Sequence, residues 1–282
     1  MDQLKLMYIT KEPEIAAIAE AAGVDRIFVD MEYIGKHLRQ GGMDTVQCRH
    51  THADVKNIAN TIEKAELLVR CNPIHDETAE NMSSKEEIDG IVENGGQIIM
   101  LPYFKTAKEV ETFVRLVDGR AKTFPLVETR EAAENIDEIL QVDGIDEIYV
   151  GLNDMSLAYG YKFMFQLLAN GTVDRLAEKF REKNLTFGFG GIASLTGGML
   201  PGSFVLKEHY RLGSRRVILS RSFCDTAKIG DREQIREIFT SGIQAIRDLE
   251  TVCRTTQIDY AENHRIVQQK VADILKVIEA RV

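Results

Sequence analysis

Phe124-Pro125-Leu126-Val127-Glu128 and, one helix-length segment later, Ile148-Tyr149-Val150-Gly151-Leu152-Asn153-Asp154 are short apolar runs that each end in a carboxylate. Apolar strands alternating with helix-like segments read as parallel βα units covered on their outer face. In a closed α/β barrel the carboxyl ends of the strands carry the chemistry, which is where Glu128 and Asp154 stand. A carboxylate at the end of an apolar strand needs a cation to offset its desolvation, and a hard divalent metal held by oxygen is one candidate. The pair therefore reads as a metal clamp, with a purely structural ion pair as the alternative.

Outward from these two strands the same unit repeats. Eight apolar runs can be counted: Leu4–Thr10, Arg26–Glu32, Glu66–Asn72, Gln97–Tyr103, Ala121–Thr129, Glu147–Asp154, Thr186–Ile192 and Arg216–Ser222. Helix signals lie between them. Pro13 opens an Ala-rich segment that stops at Gly23, and Ser83-Ser84-Lys85-Glu86 begins one ending near Gly95-Gly96. Thr106 opens Ala107–Val117, and Thr129-Arg130-Glu131 opens a run to Leu140. The expected fold class is α/β, a (β/α)8 TIM barrel with an extra C-terminal helix. Such a barrel needs about 250 residues, and the chain has 282. Residues 1–225 are expected to form the barrel core. Residues 226–282 are expected to supply helices that close the barrel and pack on it or on a neighbouring subunit, making a homo-oligomer the expectation. The last helix carries an apolar stripe, Ile266, Val267, Val271, Ile274, Leu275 and Ile278, that requires a partner.

Composition narrows the function. Thirty-five basic against 44 acidic residues give a net charge of −9, with no Lys/Arg-rich run and no tryptophan, which argues against a nucleic-acid partner. Neither a secretory signal nor an apolar stretch of membrane-spanning length stands out, so no membrane partner and a cytoplasmic location are expected. Cys48, Cys71, Cys224 and Cys253 lack metal-finger spacing and read as reduced thiols. The loop from Tyr33 to Thr51 departs from the barrel rhythm and is crowded with Lys36, His37, Arg39, Arg49, His50 and His52. It is either a solvated loop or part of the mouth.

Several motifs in order resemble one family. They are Val29-Asp30-Met31-Glu32, Leu68-Val69-Arg70-Cys71-Asn72-Pro73, Ile98-Ile99-Met100-Leu101-Pro102, Leu126-Val127-Glu128-Thr129-Arg130-Glu131-Ala132, Val142-Asp143-Gly144-Ile145-Asp146 and Gly151-Leu152-Asn153-Asp154-Met155-Ser156. Together, over roughly Leu4 to Phe223, they resemble the HpcH/HpaI aldolase and citrate lyase β-subunit family. The resemblance implies a Mg2+- or Mn2+-dependent aldolase acting through a pyruvate-like enolate, with a keto acid and an aldehyde, possibly anionic or phosphorylated, as its substrates. It makes Glu128 and Asp154 the metal ligands and Arg70 the cation supporting the enolate. The backbone around Asn153 and Asp154 would face the substrate carboxylate. A citryl- or acyl-CoA-type lyase on the same metal site, and a non-catalytic keto-acid-binding barrel, are the alternatives.

One place departs from the family. Aldolases of this kind usually carry a histidine directly after the acidic residue of the second strand, where this chain has Tyr33. Glu32 and the loop histidines His37, His50 and His52 are the replacement candidates for proton transfer. Arg70 could instead neutralise Glu128 or Glu32. Asn72 either hydrogen-bonds substrate or caps the turn at Pro73. Arg221 and Ser222 end the eighth strand, where barrels often bind phosphate, and with Lys36 and Arg39 they are expected to meet an anionic tail.

Overall fold

Eight parallel strands close on themselves in chain order, each joined to the next through helix-containing segments. The computed structural model describes residues 3–36 and 50–280. The strands are β1 (Lys5–Ile9), β2 (Arg26–Asp30), β3 (Glu66–Arg70), β4 (Ile98–Leu101), β5 (Lys122–Val127), β6 (Glu147–Val150), β7 (Thr186–Ile192) and β8 (Arg216–Leu219). The helices that follow the order of the chain are α1 (Pro13–Ala21), α2 (His52–Ala59), α3 (Ser84–Glu93), α4 (Ala107–Val117), α5 (Arg130–Glu134), α6 (Ile136–Ile139) and α7 (Leu152–Ala158). They continue with α8 (Gln166–Ala169), α9 (Thr172–Glu182), α10 (Gly202–Leu212), α11 (Arg232–Thr255) and α12 (Tyr260–Glu279). The fold is thus the expected (β/α)8 barrel with an additional C-terminal helix.

Local chemistry explains the helix starts. Thr51, Ser83 and Thr106 each close a capping box with the acidic residue three positions on, satisfying amide donors that the first turn leaves unpaired. The expected run from Thr129 to Leu140 is two short helices instead, α5 and α6, broken at Asn135. The sixth strand is shorter than expected. It ends at Val150, Gly151 becomes the N-cap, and Asp154 lies in the first turn of α7 rather than on the strand. Likewise Arg221 and Ser222 stand in a turn beyond β8.

Strand alternation decides which side chains enter the barrel. Register pairs Arg26 with Glu66, Phe28 with Leu68 and Asp30 with Arg70 across β2 and β3. Because alternate residues share a face, these rungs point inward. The middle of the barrel is filled by Met7, Phe28, Leu68, Ile98, Met100, Phe124, Leu126 and Tyr149. The larger apolar layer lies between strands and helices, with Ile27, Val29, Val69, Ile99 and Val127 as members.

The amino end of the barrel is plugged by ions. Arg26 forms a two-pronged pair with Glu147, both bonds 2.7 Å, and reaches Glu66 at 2.9 Å. Arg216 grips the same Glu147 at 2.7 and 2.8 Å. Burial would favour a neutral Glu147, but the two guanidiniums outweigh it and bring the carboxyl down to about 2.

Beyond the barrel, α11 packs on α1 and α10, while α12 packs on α10 and α8. Val267 and Val271 of the C-terminal stripe are buried there. Buried Glu208 ties the two helices together, accepting from Asn263 at 2.8 Å and pairing with His264 at 2.9 Å. Cys71, Cys224 and Cys253 are unbridged and buried, and Cys48 lies outside the described residues. Among the described residues no helix is long and apolar enough to cross a membrane.

Replacing Glu147 by Gln leaves Arg26 and Arg216 facing each other without their shared carboxylate. The expected loss is about 3 kcal/mol in a urea unfolding experiment, the magnitude for one partner removed from a buried pair. A carboxyl depressed on folding contributes stability above its unfolded value, about 4.3, and loses it as pH falls through the folded one. Unaltered protein should therefore lose part of its stability between about pH 4 and pH 2, and Glu147→Gln should flatten that stretch of the curve.

Candidate active site

The carboxyl end of the barrel gathers charge where the amino end neutralises it. Asp30, the last residue of β2, is buried, and its carboxylate receives four hydrogen bonds, one of them from the Glu32 amide at 3.2 Å. Arg70 donates Nε to Oδ1 at 2.8 Å and Nη2 to Oδ2 at 2.7 Å, and Lys36 Nζ donates to Oδ2 at 2.8 Å. The pairing follows from sequence, since Asp30 and Arg70 are register partners on one inward rung. Burial alone would push the Asp30 carboxyl up; Arg70 and Lys36 together hold it well below the ordinary carboxylate range. Burial likewise disfavours the Arg70 charge, yet Asp30 and Glu32 raise it further above its already high value.

Glu32 lies two residues on, fully buried, with Oε2 3.4 Å from Arg70 Nε and 3.5 Å from Lys36 Nζ. The ion pair between Glu32 and Arg70 anticipated from sequence is present. The principal partner of Arg70, however, is Asp30, which the sequence reading left unassigned. Its signal was available, because Asp30 shares the inward parity of Arg26 and Phe28. Lys36, expected to meet an anionic tail, is buried with its ammonium on Asp30 and Glu32.

His50 packs on the same strand end. Its Nδ1 accepts the backbone N–H of Asp30 at 2.9 Å, which assigns the remaining proton to Nε2, and burial lowers its tendency to charge. His52 is on α2, with Nε2 3.0 Å from the Glu87 carbonyl oxygen and Gly90 leaving room for its ring. His37, Arg39 and Arg49 lie outside the described residues.

Asn72 braces the turn after β2, a role different from both the substrate contact and the Pro73 turn cap offered as its alternatives. Its Oδ1 accepts from Tyr33 and Ile34 amides, both at 2.9 Å, and its Nδ2 donates to Glu87 at 2.8 Å and to the Met31 carbonyl at 3.3 Å. With oxygen and nitrogen both committed to protein, Asn72 shapes the turn after β2 rather than offering its amide to a ligand. Tyr33 itself is 44% exposed and turns its hydroxyl to Asn81 at 2.6 Å.

On the opposite arc, Glu128 follows β5 and is buried. The Tyr103 amide donates to its Oε1 at 3.0 Å, and Thr129 Oγ1 holds the Phe104 carbonyl at 2.7 Å. Tyr103 adopts φ +51°, a left-handed conformation that costs a bulky residue on the order of 1–2 kcal/mol. That strain aims an amide at Glu128. Nothing in the sequence around Pro102-Tyr103 announces it. A side chain at Gly151 would meet Glu128 Cβ and Oε2, both at 2.9 Å, so glycine lets the carboxyl lie over the start of α7. Asp154, buried in that helix's first turn, is favoured there by the helix dipole. Asn153 is exposed beside it, and Arg221 is exposed in the turn after β8.

The HpcH/HpaI aldolase/citrate lyase family matches residues 4–164. A short segment is 56% identical, over 36 residues, to a hydroxypyruvate/pyruvate aldolase of Rhizorhabdus wittichii, covering 13% of this chain and 14% of that protein. Another relative is the 2-keto-3-deoxy-L-rhamnonate aldolase of Klebsiella pneumoniae, 54% identical over 35 residues, 12% of this chain and 13% of that one. Among solved structures, an HpcH/HpaI aldolase from Desulfitobacterium hafniense superposes with a TM-score of 0.59 at 16% identity, covering 87% of this chain and 93% of that one. Citrate synthase SbnG gives 0.59 at 15% identity, with 89% and 95% covered. At such identities the structures speak for the fold alone. The family match spans more than half of the chain, and the protein belongs to the HpcH/HpaI aldolase/citrate lyase family of aldolases and lyases.

Proposed function

We propose that the barrel is a divalent-metal-dependent carbon–carbon lyase that forms or cleaves a 2-oxo-4-hydroxy acid through a pyruvate-like enolate. The carboxylates gathered at the mouth carry this reading. Asp30, Glu32, Glu128 and Asp154 are all buried there with Arg70 among them, and carboxylate oxygens are the hard donors that Mg2+ and Mn2+ take.

Glu128 and Asp154 are the assigned ligands, with Mg2+ or Mn2+ suited to their hard oxygens. Gly151 supports the pairing, since its missing side chain is what allows the Glu128 carboxyl to lean toward the helix bearing Asp154. Among the described residues no three His, Cys, Asp or Glu side chains form one metal-holding group. Mg2+ is commonly held by one or two carboxylates, with substrate oxygens and water completing the shell. When bound, such an ion withdraws electrons from a keto oxygen and eases loss of the adjacent methyl proton.

The protein groups supply the rest. Arg70 offers donors to the enolate oxygen, and Asp30 holds its planar fork in one orientation. Glu32 is assigned the methyl proton. His50, neutral and bonded to the Asp30 amide, fixes the end of β2. First-turn amides of α7 at Asn153 and Asp154 have no intrahelical acceptor and suit a substrate carboxylate. Arg221 is the candidate contact for an anionic or phosphorylated aldehyde. Both short aldolase relatives carry a 2-oxo acid in their names, which supports the substrate class.

The test is solvent deuterium exchange into the methyl group of pyruvate, followed by NMR. Exchange should require added Mg2+ or Mn2+ and vanish in chelator; exchange that persists in chelator would defeat the reading. Glu128→Ala should abolish both exchange and Mn2+ binding while leaving circular dichroism unchanged. Gly151→Ala, by displacing the Glu128 carboxyl, should weaken Mn2+ binding by about tenfold, the size of effect seen when support of a ligand is disturbed. Arg70→Lys replaces a two-pronged fork with a point charge, so kcat should fall on the order of 100-fold with a smaller change in KM. A raised KM with kcat unchanged would reduce Arg70 to a binding group.

A further inference from the structure

The charged groups on β2 and β3 differ in what they can do with a proton. Arg70 releases none near neutral pH, its guanidinium raised by Asp30 and Glu32 against the pull of burial. Asp30 takes none up, held ionised by Arg70 and Lys36 despite burial. His50 has its Nδ1 lone pair engaged by the Asp30 amide. The Tyr33 hydroxyl is turned to Asn81. Lys36 stands apart, because an ammonium carries three protons. One is donated to Asp30 Oδ2 at 2.8 Å and a second faces Glu32 Oε2 at 3.5 Å. Tetrahedral geometry leaves a third. Lys36 and Arg70 also touch the same oxygen, Asp30 Oδ2, so the ammonium belongs to the cluster that holds the enolate-supporting cation.

We propose that Lys36 delivers and recovers the proton at the acceptor oxygen of the aldol step, a proposal that rests on the function set out above. In condensation the enolate carbon bonds to the aldehyde carbon, the carbonyl π pair moves onto oxygen, and that oxygen takes a proton from the ammonium, leaving a neutral amine. In cleavage the amine removes the hydroxyl proton while the carbon–carbon bond breaks, its electron pair returning to the enolate and the ammonium re-forming. Asp30 positions the ammonium, and Glu32, which takes the methyl proton and stands 3.5 Å from Lys36 Nζ, returns that proton to the amine after condensation. The Asp30 bridge keeps Arg70 for the other oxygen, so one carboxylate sets the spacing of two cations that serve the two partners of the bond. Groups facing the ammonium are Asp30 and Glu32 of the β2 end and Arg70 of β3, with His50 behind Asp30 and Lys11 and Asp54 near its ring.

Lys36→Arg separates charge from proton transfer. It keeps a cation for Asp30 and Glu32 but presents one that does not lose its proton near neutral pH. Lys36→Met removes both properties. With Mn2+-loaded full-length protein, two rates are read by NMR: deuterium exchange into pyruvate, and condensation of pyruvate with the fastest of a panel of short aldehydes. In Lys36→Arg the ratio of condensation to exchange should fall about 100-fold, within the range for loss of a general acid–base group, and the pH dependence of condensation should lose one limb. Lys36→Met should show the same fall. Condensation in Lys36→Arg within threefold of the unaltered protein would make Lys36 a charge and nothing more. Equal loss of exchange and condensation in Lys36→Arg, or an unaltered protein that exchanges protons but condenses no aldehyde, also overturns the proposal. Failure of exchange in the unaltered protein strikes the enolate reading itself, a separately visible outcome.

Discussion

Asp30 and Arg70 meet on a single inward rung, and that two-pronged ion pair organises the mouth. It forms because β2 and β3 run parallel in a register that sets the last residue of each opposite the other. It holds because both groups are withdrawn from water, where an unpaired charge of either sign would be costly. The same Asp30 also draws in Lys36, and its backbone amide fixes His50. Two cations therefore take their positions from one carboxylate, and His50 from the amide of the same residue. An arginine without such a clamp would spread its fork over many rotamers, and orientation at a developing oxyanion would have to be recovered at each turnover.

The two ends of the barrel use the same ingredients for different purposes. At the amino end Arg26, Arg216 and Lys122 surround Glu66 and Glu147, and each carboxylate is shared by two cations. That assembly is satisfied by protein alone and reads as structure. At the carboxyl end the buried carboxylates are spread over several strand ends, and the backbone itself is strained at Tyr103 to bring an amide to Glu128. Stability concentrated below and chemistry above is the division of labour that barrel enzymes display.

Much of this was legible in sequence. Eight strands follow from apolar runs, and Thr51, Ser83 and Thr106 announce helix starts through the acidic residue three places on. Glu32, Arg70 and Glu128 follow from their place at strand ends. The misreadings have definite causes. The apolar run through Gly151-Leu152-Asn153 places Asp154 on a strand, whereas β6 ends at Val150 and Gly151 caps a helix. Composition cannot show that Glu87, fifteen residues on from Asn72, returns to its amide. Alternation along β2 gives Asp30 the same face as Glu32, although strand-end position singles out only Glu32. Tyr103 was invisible, since a left-handed tyrosine is imposed by the surrounding structure and leaves no mark in residue type.

The mouth is chemically lopsided, and β7 explains how. Its pairing with β8 slips between Gly188 and Gly191, a bulge in which Gly190 takes φ +54°. Ladder bonds lost there are replaced from inside the barrel by Tyr149, whose hydroxyl donates to the Phe189 and Gly190 carbonyls and accepts from the Ile218 amide. Gly188 is needed for this, because a side chain would lie 2.4 Å from the Arg216 carbonyl oxygen and 2.5 Å from the Tyr149 ring. The result is an arc at β2, β3 and β5 that presents charged side chains, and an arc at β7 and β8 that presents glycine backbone and Ser220. The first arc carries the groups proposed above for a small keto acid, and the second leads into the turn that bears Arg221, the contact proposed above for an anionic aldehyde.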